Sequence, residues 1–116
     1  MPDDAMVVRI EESEGRQTLR VQGEICLPTA ATLRRALIEA LEGARETVME
    51  LGEVTNADLS GLRLLCSAHR TSLKRGVSLT MGAASEKLRG AALLAGYEAR
   101  TAVCPFRRDG VCLWKG

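Results

Sequence analysis

Strand-like and helix-like stretches alternate along this chain, and this alternation restricts the folds that it can adopt. Two strand-like runs at 6–12 and 17–25 flank a short turn that contains Gly15, which predicts a β-hairpin. The stretch at 27–44 follows, with apolar residues spaced as on one face of a helix. The first part of the chain is therefore predicted to be a hairpin followed by an amphipathic helix.

The rest of the chain continues the alternation. A short strand is predicted at 47–51, bounded by Gly52, and a helix is predicted up to Gly76 because apolar residues recur at helical spacing before it. A further strand is predicted at 77–81 and a last helix at 84–96.

Several hydroxyl residues are expected to cap the predicted helices. Thr29 or Thr32 is expected at the start of the first helix, Ser60 at the second and Ser85 at the third, since serine and threonine are common N-caps. Gly96 is expected to end the third helix, because glycine often follows the last helical residue.

The predicted order is β-β-α-β-α-β-α-(β), in which the bracketed strand stands for the sequence VCLW near the end of the chain. Strands that alternate with helices indicate an α/β fold, in which helices pack on a mixed β-sheet and right-handed crossovers join parallel neighbours. The chain has 116 residues, 46% of them hydrophobic, and shows no internal repeat or linker. We therefore expect a single domain over 1–116.

The charges of the chain do not favour nucleic acid or an anionic membrane as a partner. Its 16 basic and 15 acidic residues leave a formal net charge of +1, and the basic residues are scattered. No apolar run is long enough to span a bilayer, and the start of the chain is short and acidic, unlike a secretion signal. We expect a cytoplasmic protein with reduced cysteines and no membrane span.

The sequence contains none of the motifs that usually mark an enzyme. It has no phosphate-binding glycine loop, no dinucleotide fingerprint, no nucleophile elbow and only one histidine. That histidine, His69, shares a predicted helix face with Cys66, and both are expected to pack in the core rather than bind a metal. We expect a protein that is not an enzyme and that binds no cofactor.

A pair of cysteines near the end of the chain leaves a second function open. Asp109 and Gly110 form a strong turn signal, and a hairpin there would bring Cys104 and Cys112 together. A disulfide, a bound metal and two packed thiols all fit, and packed thiols are favoured in a reducing compartment. A redox- or metal-responsive module that uses these two cysteines is therefore the alternative function.

Two segments resemble sequences that are typical of one protein family. The run GEICLPTAATL at 23–33 resembles the entry to the first helix of STAS domains, the family of bacterial anti-sigma factor antagonists. The run DLSGLRLL at 58–65 resembles their Asp-Ser-Ser/Thr-Gly-Leu motif, which precedes the second helix. The resemblance covers 6–98, implies an STAS-like fold of the order given above, and leaves 100–116 as a C-terminal extension.

The resemblance also implies a regulatory protein-interaction module. In the family, the partner is an anti-sigma factor or another histidine-kinase-like signalling protein, which phosphorylates the residue after the motif aspartate and is then released. Here Leu59 occupies the position of that phosphoacceptor, and a leucine cannot accept a phosphoryl group. Ser60, at the second hydroxyl position, is the alternative site of phosphorylation, and a helix cap is its other interpretation.

The motifs further imply which residues contact the partner. Cys26 stands where many family members carry an aspartate near the phosphorylation site. Leu59 is expected to pack into the core; an exposed leucine there would offer an apolar contact that phosphorylation cannot switch. Leu62 is expected to be buried. The residues of the predicted partner-binding surface are Glu24, Cys26, Thr29, Asp58, Leu59, Ser60, Gly61, Leu62 and Arg63.

Overall fold

In the computed structural model, which describes residues 6–95, a four-stranded sheet carries three helices. The strands are β1 (Val7–Ser13), β2 (Arg16–Ile25), β3 (Glu46–Ala57) and β4 (Ser78–Ala84). The helices are α1 (Leu27–Gly43), α2 (Leu59–Arg75) and α3 (Glu86–Leu94). This order confirms the predicted alternation, while Gly96 and the bracketed last strand lie outside the described residues. Among the helices of this region, none combines the length and the apolar character that a membrane span requires.

The sheet is mixed, and its strands lie side by side in chain order, β1-β2-β3-β4. β1 and β2 run antiparallel around a tight turn at Glu14 and Gly15, whose φ angles are 52° and 83°. Two successive residues with positive φ give a turn whose twist matches that of the flanking strands. β2, β3 and β4 are parallel, and each connection between them contains a helix. The predicted α/β fold with a mixed sheet is therefore confirmed.

The three helices share one aliphatic core with one face of the sheet. Alternate side chains of the central strands point into it, among them Leu19 and Val21 of β2 and Met49 and Leu51 of β3. The helices contribute to the same cluster Leu33, Leu37, Leu62, Leu65 and Leu88.

The opposite face of the sheet is polar. Arg16 pairs there with Glu46 and Arg20 pairs with Glu11, each at a nitrogen–oxygen distance of 3.1 Å. Both pairs are exposed, so water screens the attraction and each contributes little to stability. Packing on the helical side, and not these ion pairs, therefore stabilises the sheet.

β3 is longer than predicted. The prediction ended this strand at residue 51, before Gly52, whereas β3 continues to Ala57. Its second half pairs with the end of β2, where Val54 lies in register with Gly23 and Ala57 with Ile25. Register shifts in this pairing replace strict alternation, so that buried side chains recur at every third position. A strand that is bent in this way lacks the period of two from which strands are predicted.

One buried polar pair lies at the other end of β2 and β3. Gln17 and Thr47 are register neighbours on the core side of the sheet, and the Thr47 side chain is almost fully buried, at 1% exposed. Within residues 6–95, the Gln17 Oε1 and Thr47 Oγ1 atoms have no hydrogen-bond partner. A buried polar group without a partner costs about 1–3 kcal/mol, so this pair weakens the fold.

Replacing Thr47 by Val should stabilise the protein by about 1 kcal/mol, because it removes the buried hydroxyl and keeps the β-branched shape. The free energy of unfolding in urea measures the change. Thr80→Val on β4 is the matched control, because the Thr80 side chain is exposed and its hydroxyl is solvated. Equal gains from both substitutions would attribute the effect to strand propensity and contradict the cost assigned to the buried hydroxyl.

Candidate functional site

The starts of α1 and α2 meet at one end of the sheet. β2 and β3 are parallel neighbours, so the helix after each strand begins at the same end. Ile25, the last residue of β2, lies in register with Ala57, the last residue of β3. The two segments singled out in the sequence, at 23–33 and 58–65, are thereby brought side by side.

The Asp58 carboxylate binds the first turns of both helices. Its Oδ1 atom accepts a hydrogen bond of 3.1 Å from the Gly61 N–H in α2. Its Oδ2 atom accepts one of 3.1 Å from the Leu27 N–H at the start of α1. The N–H groups of a first helical turn have no partner within the helix, and the helix dipole favours a negative charge there. One carboxylate therefore satisfies and joins two helix N-termini.

The cap of α2 differs from the predicted one. Ser60 lies inside the helix, whereas Asp58 occupies the cap position with an extended backbone at φ −102° and ψ −177°. Aspartate and serine are comparable caps, so propensity does not choose between neighbouring positions. The predicted cap of α3 is confirmed, because the Ser85 Oγ atom accepts a hydrogen bond of 3.1 Å from the Leu88 N–H.

At the start of α1, Thr29 supports the turn instead of capping the helix. The predicted caps, Thr29 and Thr32, both lie inside α1, and Cys26 holds the cap position. The Thr29 Oγ1 atom accepts a hydrogen bond of 3.0 Å from the Cys26 N–H and donates one of 2.9 Å to the Glu24 carbonyl. A side chain that bonds back from the third helical position to the cap residue forms half of a capping box. Thr29 therefore holds Glu24 and Cys26 against the helix start.

Gly61 allows α2 to approach the end of β2 closely. A Cβ atom at this position would lie 2.5 Å from the Ile25 Cγ2 atom and 2.8 Å from the Ile25 carbonyl oxygen. Both separations are too short for non-bonded atoms, so a larger residue would force the helix and the strand apart. Leu62, the next residue, is buried in the core as predicted. Gly61 and Leu62 therefore fix α2 on the sheet and form little accessible surface.

Leu59 is exposed, and the expectation that it packs into the core is wrong. It is the first residue of α2, and 47% of its surface is accessible. Because the helix begins here, no preceding turn covers the side chain. Of the other residues predicted for this surface, Asp58 and Arg63 are exposed, and Glu24, Cys26, Thr29 and Ser60 are half-buried.

The sequence prediction missed one residue of this surface, Leu27. Its side chain is 70% exposed, and its N–H binds the Asp58 carboxylate. The signal in the sequence is that each helix opens with a leucine directly after its cap residue, Leu27 after Cys26 and Leu59 after Asp58. The site therefore presents two leucines next to the same aspartate: Leu27 through a hydrogen bond to its carboxylate, and Leu59 as the next residue in the chain.

Cys66 and His69 lie further along α2, where both are half-buried at the margin of the core. Burial lowers the pKa of His69 below its ordinary value, because desolvation disfavours the charged imidazolium. Within residues 6–95, no three His, Cys, Asp or Glu residues lie close enough together to hold a metal ion. Cys104 and Cys112 lie outside the described residues, so the metal- or redox-responsive alternative stays a prediction.

Asp58→Ala should lower the free energy of unfolding by about 2 kcal/mol, since one cap contributes about 1 kcal/mol and this carboxylate serves two helices. Asp58→Asn, which keeps one carbonyl oxygen, should cost about half as much. Ser85→Ala is the matched control, because it removes the cap of α3 alone. Urea denaturation measures all three variants. A cost for Asp58→Ala no larger than that for Ser85→Ala would show that the bond to Leu27 contributes nothing.

Comparison with known proteins extends this description. A family model described as Mlab, STAS domain matches residues 8–103. An anti-sigma factor antagonist from Mycobacterium paratuberculosis is 23% identical, with 82% of this chain and 81% of that chain covered and a TM-score of 0.71. Bacillus SpoIIAA in its phosphorylated form is 15% identical, with 78% of this chain and 84% of that chain covered and a TM-score of 0.62.

A third similar structure is the STAS domain of an anti-sigma factor antagonist from Rhodobacter sphaeroides. It is 18% identical, with 74% of this chain and 98% of that chain covered and a TM-score of 0.59. A comparison with curated protein sequences finds no match. The structural likenesses establish the fold, and the family model covers most of the chain. The resemblance seen in the two sequence motifs is thereby confirmed: this chain belongs to the STAS domain family.

Proposed function

We propose that this STAS domain is a regulatory module that binds an anti-sigma factor or another histidine-kinase-like signalling protein in the cytoplasm. The likeness to anti-sigma factor antagonists supports this class of partner. Gly61 and Leu62 are buried and hold the binding surface in shape. The surface, which we call the docking face, consists of Glu24, Cys26, Leu27, Thr29, Asp58, Leu59, Ser60 and Arg63.

The exposed side chain of Leu59 is the observation that carries this proposal. Burying a leucine side chain against a partner contributes about 1.5–3 kcal/mol. A few well-placed anchors usually supply most of the energy of an interface. Leu59 is well placed because the Asp58 carboxylate and the close contact at Gly61 fix the start of its helix. Leu27 adds a second apolar contact on the same face.

Binding through Leu59 cannot be switched by phosphorylation at that residue. A phosphate at the first residue of α2 would be well placed for the free N–H groups of the first turn and would add about two negative charges to the docking face. Leucine has no hydroxyl to accept it. We infer that the domain binds its partner without this switch, unless the switch acts at Ser60.

A switch at Ser60 would act differently from one at position 59. The Ser60 side chain is half-buried in the first turn of α2 and is separated by one residue from Asp58. A phosphate there would repel the Asp58 carboxylate and weaken the hydrogen bonds that join α1 to α2. Modification of Ser60 would therefore alter the shape of the docking face as well as its charge.

The proposed role is binding and not catalysis. Asp58 is one of the two acids of the docking face, and both of its carboxylate oxygens already accept hydrogen bonds from backbone N–H groups. His69, the single histidine of the chain, lies about three helical turns further along α2. His69 is therefore too far along α2 to act as a general base for Ser60.

Leu59→Gln should weaken binding to the partner about tenfold or more. A buried leucine side chain contributes about 1.5–3 kcal/mol, and a tenfold loss of affinity corresponds to about 1.4 kcal/mol. The partner is captured from native cells with the full chain, identified by mass spectrometry, purified and titrated by calorimetry. Leu73→Gln is the matched control, because Leu73 is also exposed but lies near the other end of α2. Unchanged affinity for Leu59→Gln, or an equal loss for both variants, would contradict the docking face.

Leu59→Ser should create a site that the captured kinase-like partner phosphorylates, because it places a hydroxyl at the phosphoacceptor position of the motif. Incubation with ATP and intact-mass analysis detect the added phosphate. Leu59→Ala controls for the loss of the leucine side chain. An unmodified Leu59→Ser variant would count against the proposed partner class, and phosphate on Ser60 of the unchanged chain would locate the switch one residue along.

A further inference from the structure

The helix α2 carries only positive charges. Four of the chain's 16 basic residues lie on this helix, and none of its 15 acidic residues does. Three of the four, Arg63, Arg70 and Lys74, recur at helical spacing and therefore lie along one side of the helix. The buried residues of α2, among them Leu62 and Leu65, lie on the opposite side. We call Arg63, Arg70 and Lys74 the basic ridge.

The fold accounts for the positive charges at the end of α2 but not for the one near its start. Lys74 and Arg75 lie in the last turn, where the helix dipole favours cations, and the Arg75 Nη1 atom lies 3.9 Å from the Glu42 Oε2 atom of α1. Arg63 lies in the second turn, close to the end where the same dipole disfavours a cation. It forms no hydrogen bond or ion pair with another residue of 6–95. The described domain therefore gains nothing from a positive charge at position 63.

Arg63 stands next to the apolar anchor of the docking face. It follows Leu59 by about one helical turn, or about 6 Å along the helix axis, and both side chains are exposed. Asp58 forms no ion pair with Arg63, and both Asp58 oxygens bind helix N–H groups. Arginine is enriched in protein interfaces, and its guanidinium binds a carboxylate through two parallel hydrogen bonds. The docking face thus combines an exposed leucine with an arginine whose charge is not neutralised within the described residues.

We propose that the partner presents an acidic surface to α2, with an apolar pocket that receives Leu59 and a carboxylate that binds Arg63. This carboxylate gives Arg63 the ion pair that residues 6–95 do not provide. The basic ridge extends the positive potential along the helix, so the attraction acts before contact and raises the association rate. The inference rests on the proposed function, because it describes the chemistry of the protein that binds the docking face.

Arg63→Glu should slow association with the captured partner about tenfold at low salt, and the difference should shrink at high salt, which screens the attraction. Stopped-flow mixing of the full chain with the purified partner measures the rates over a series of sodium chloride concentrations. Arg9→Glu is the matched control, because Arg9 is exposed on β1 and the substitution changes the net charge equally. Arg63→Met, which keeps a long apolar side chain, should slow association less. A change of the contacting partner carboxylate to arginine should restore association with Arg63→Glu.

The same variant should not destabilise the isolated chain. Its midpoint of urea denaturation should equal or exceed that of the unchanged chain, because no bond within 6–95 is lost and the net charge of α2 falls. Lys74→Glu should lower the midpoint, since it places an acid in the last turn against the helix dipole. A fall for Arg63→Glu as large as that for Lys74→Glu would give Arg63 a structural role and overturn its assignment to the partner.

Three binding results would also overturn the proposal. Association of Arg63→Glu as fast as that of the unchanged chain would show that the partner brings no acid to this position. An equal loss for Arg9→Glu would assign the effect to net charge alone. Binding to vesicles of anionic lipid that Arg63→Glu abolishes would assign the basic ridge to a membrane surface.

The partner titration separates this inference from the proposed function. If Leu59→Gln weakens binding and Arg63→Glu does not, the docking face stands and the acidic surface of the partner is excluded. If neither variant weakens binding, the docking face itself is wrong.

Discussion

The Asp58 carboxylate is the group on which the geometry of the docking face depends. Its two oxygens bind N–H groups from helices that follow different strands, so it joins the starts of two helices that also pack in the same core. The missing side chain of Gly61 brings the backbones of α2 and β2 close enough for this link to form. Leu27 and Leu59, the first residues of the two helices, are positioned by the same link.

This arrangement separates a structural task from a binding task within one short motif. Asp58 joins the starts of α1 and α2, and Gly61 lets α2 lie close to β2. Neither of these structural contacts involves a phosphate. Position 59 points outward and can therefore change without affecting that link. In the function proposed above, a leucine there leaves the scaffold intact and offers an apolar contact where other members of the family would carry a site of modification.

The sequence predicted the order of the elements because most strands and helices in this chain keep a clean period. The second half of β3 escaped prediction because its register shifts remove that period. The cap of α2 was misplaced because Asp58 and Ser60 have similar capping propensities. The cap of α1 was misplaced because Cys26, which is not a common cap residue, holds that position, while Thr29 bonds back to it from inside the helix. The bond from Asp58 to Leu27 depends on which strands pair in parallel, and a local pattern does not contain that information. The exposure of Leu59 follows from the start of α2, which the cap prediction placed two residues too late.

The rigidity of the docking face has a kinetic consequence. A surface held by one doubly bound carboxylate and one close backbone contact has little need to rearrange when another protein arrives. Association rates of related complexes vary less than their affinities, so differences in affinity lie mainly in dissociation. A module of this kind, without a covalent switch at position 59, would set the duration of its signal by the lifetime of the complex that it forms.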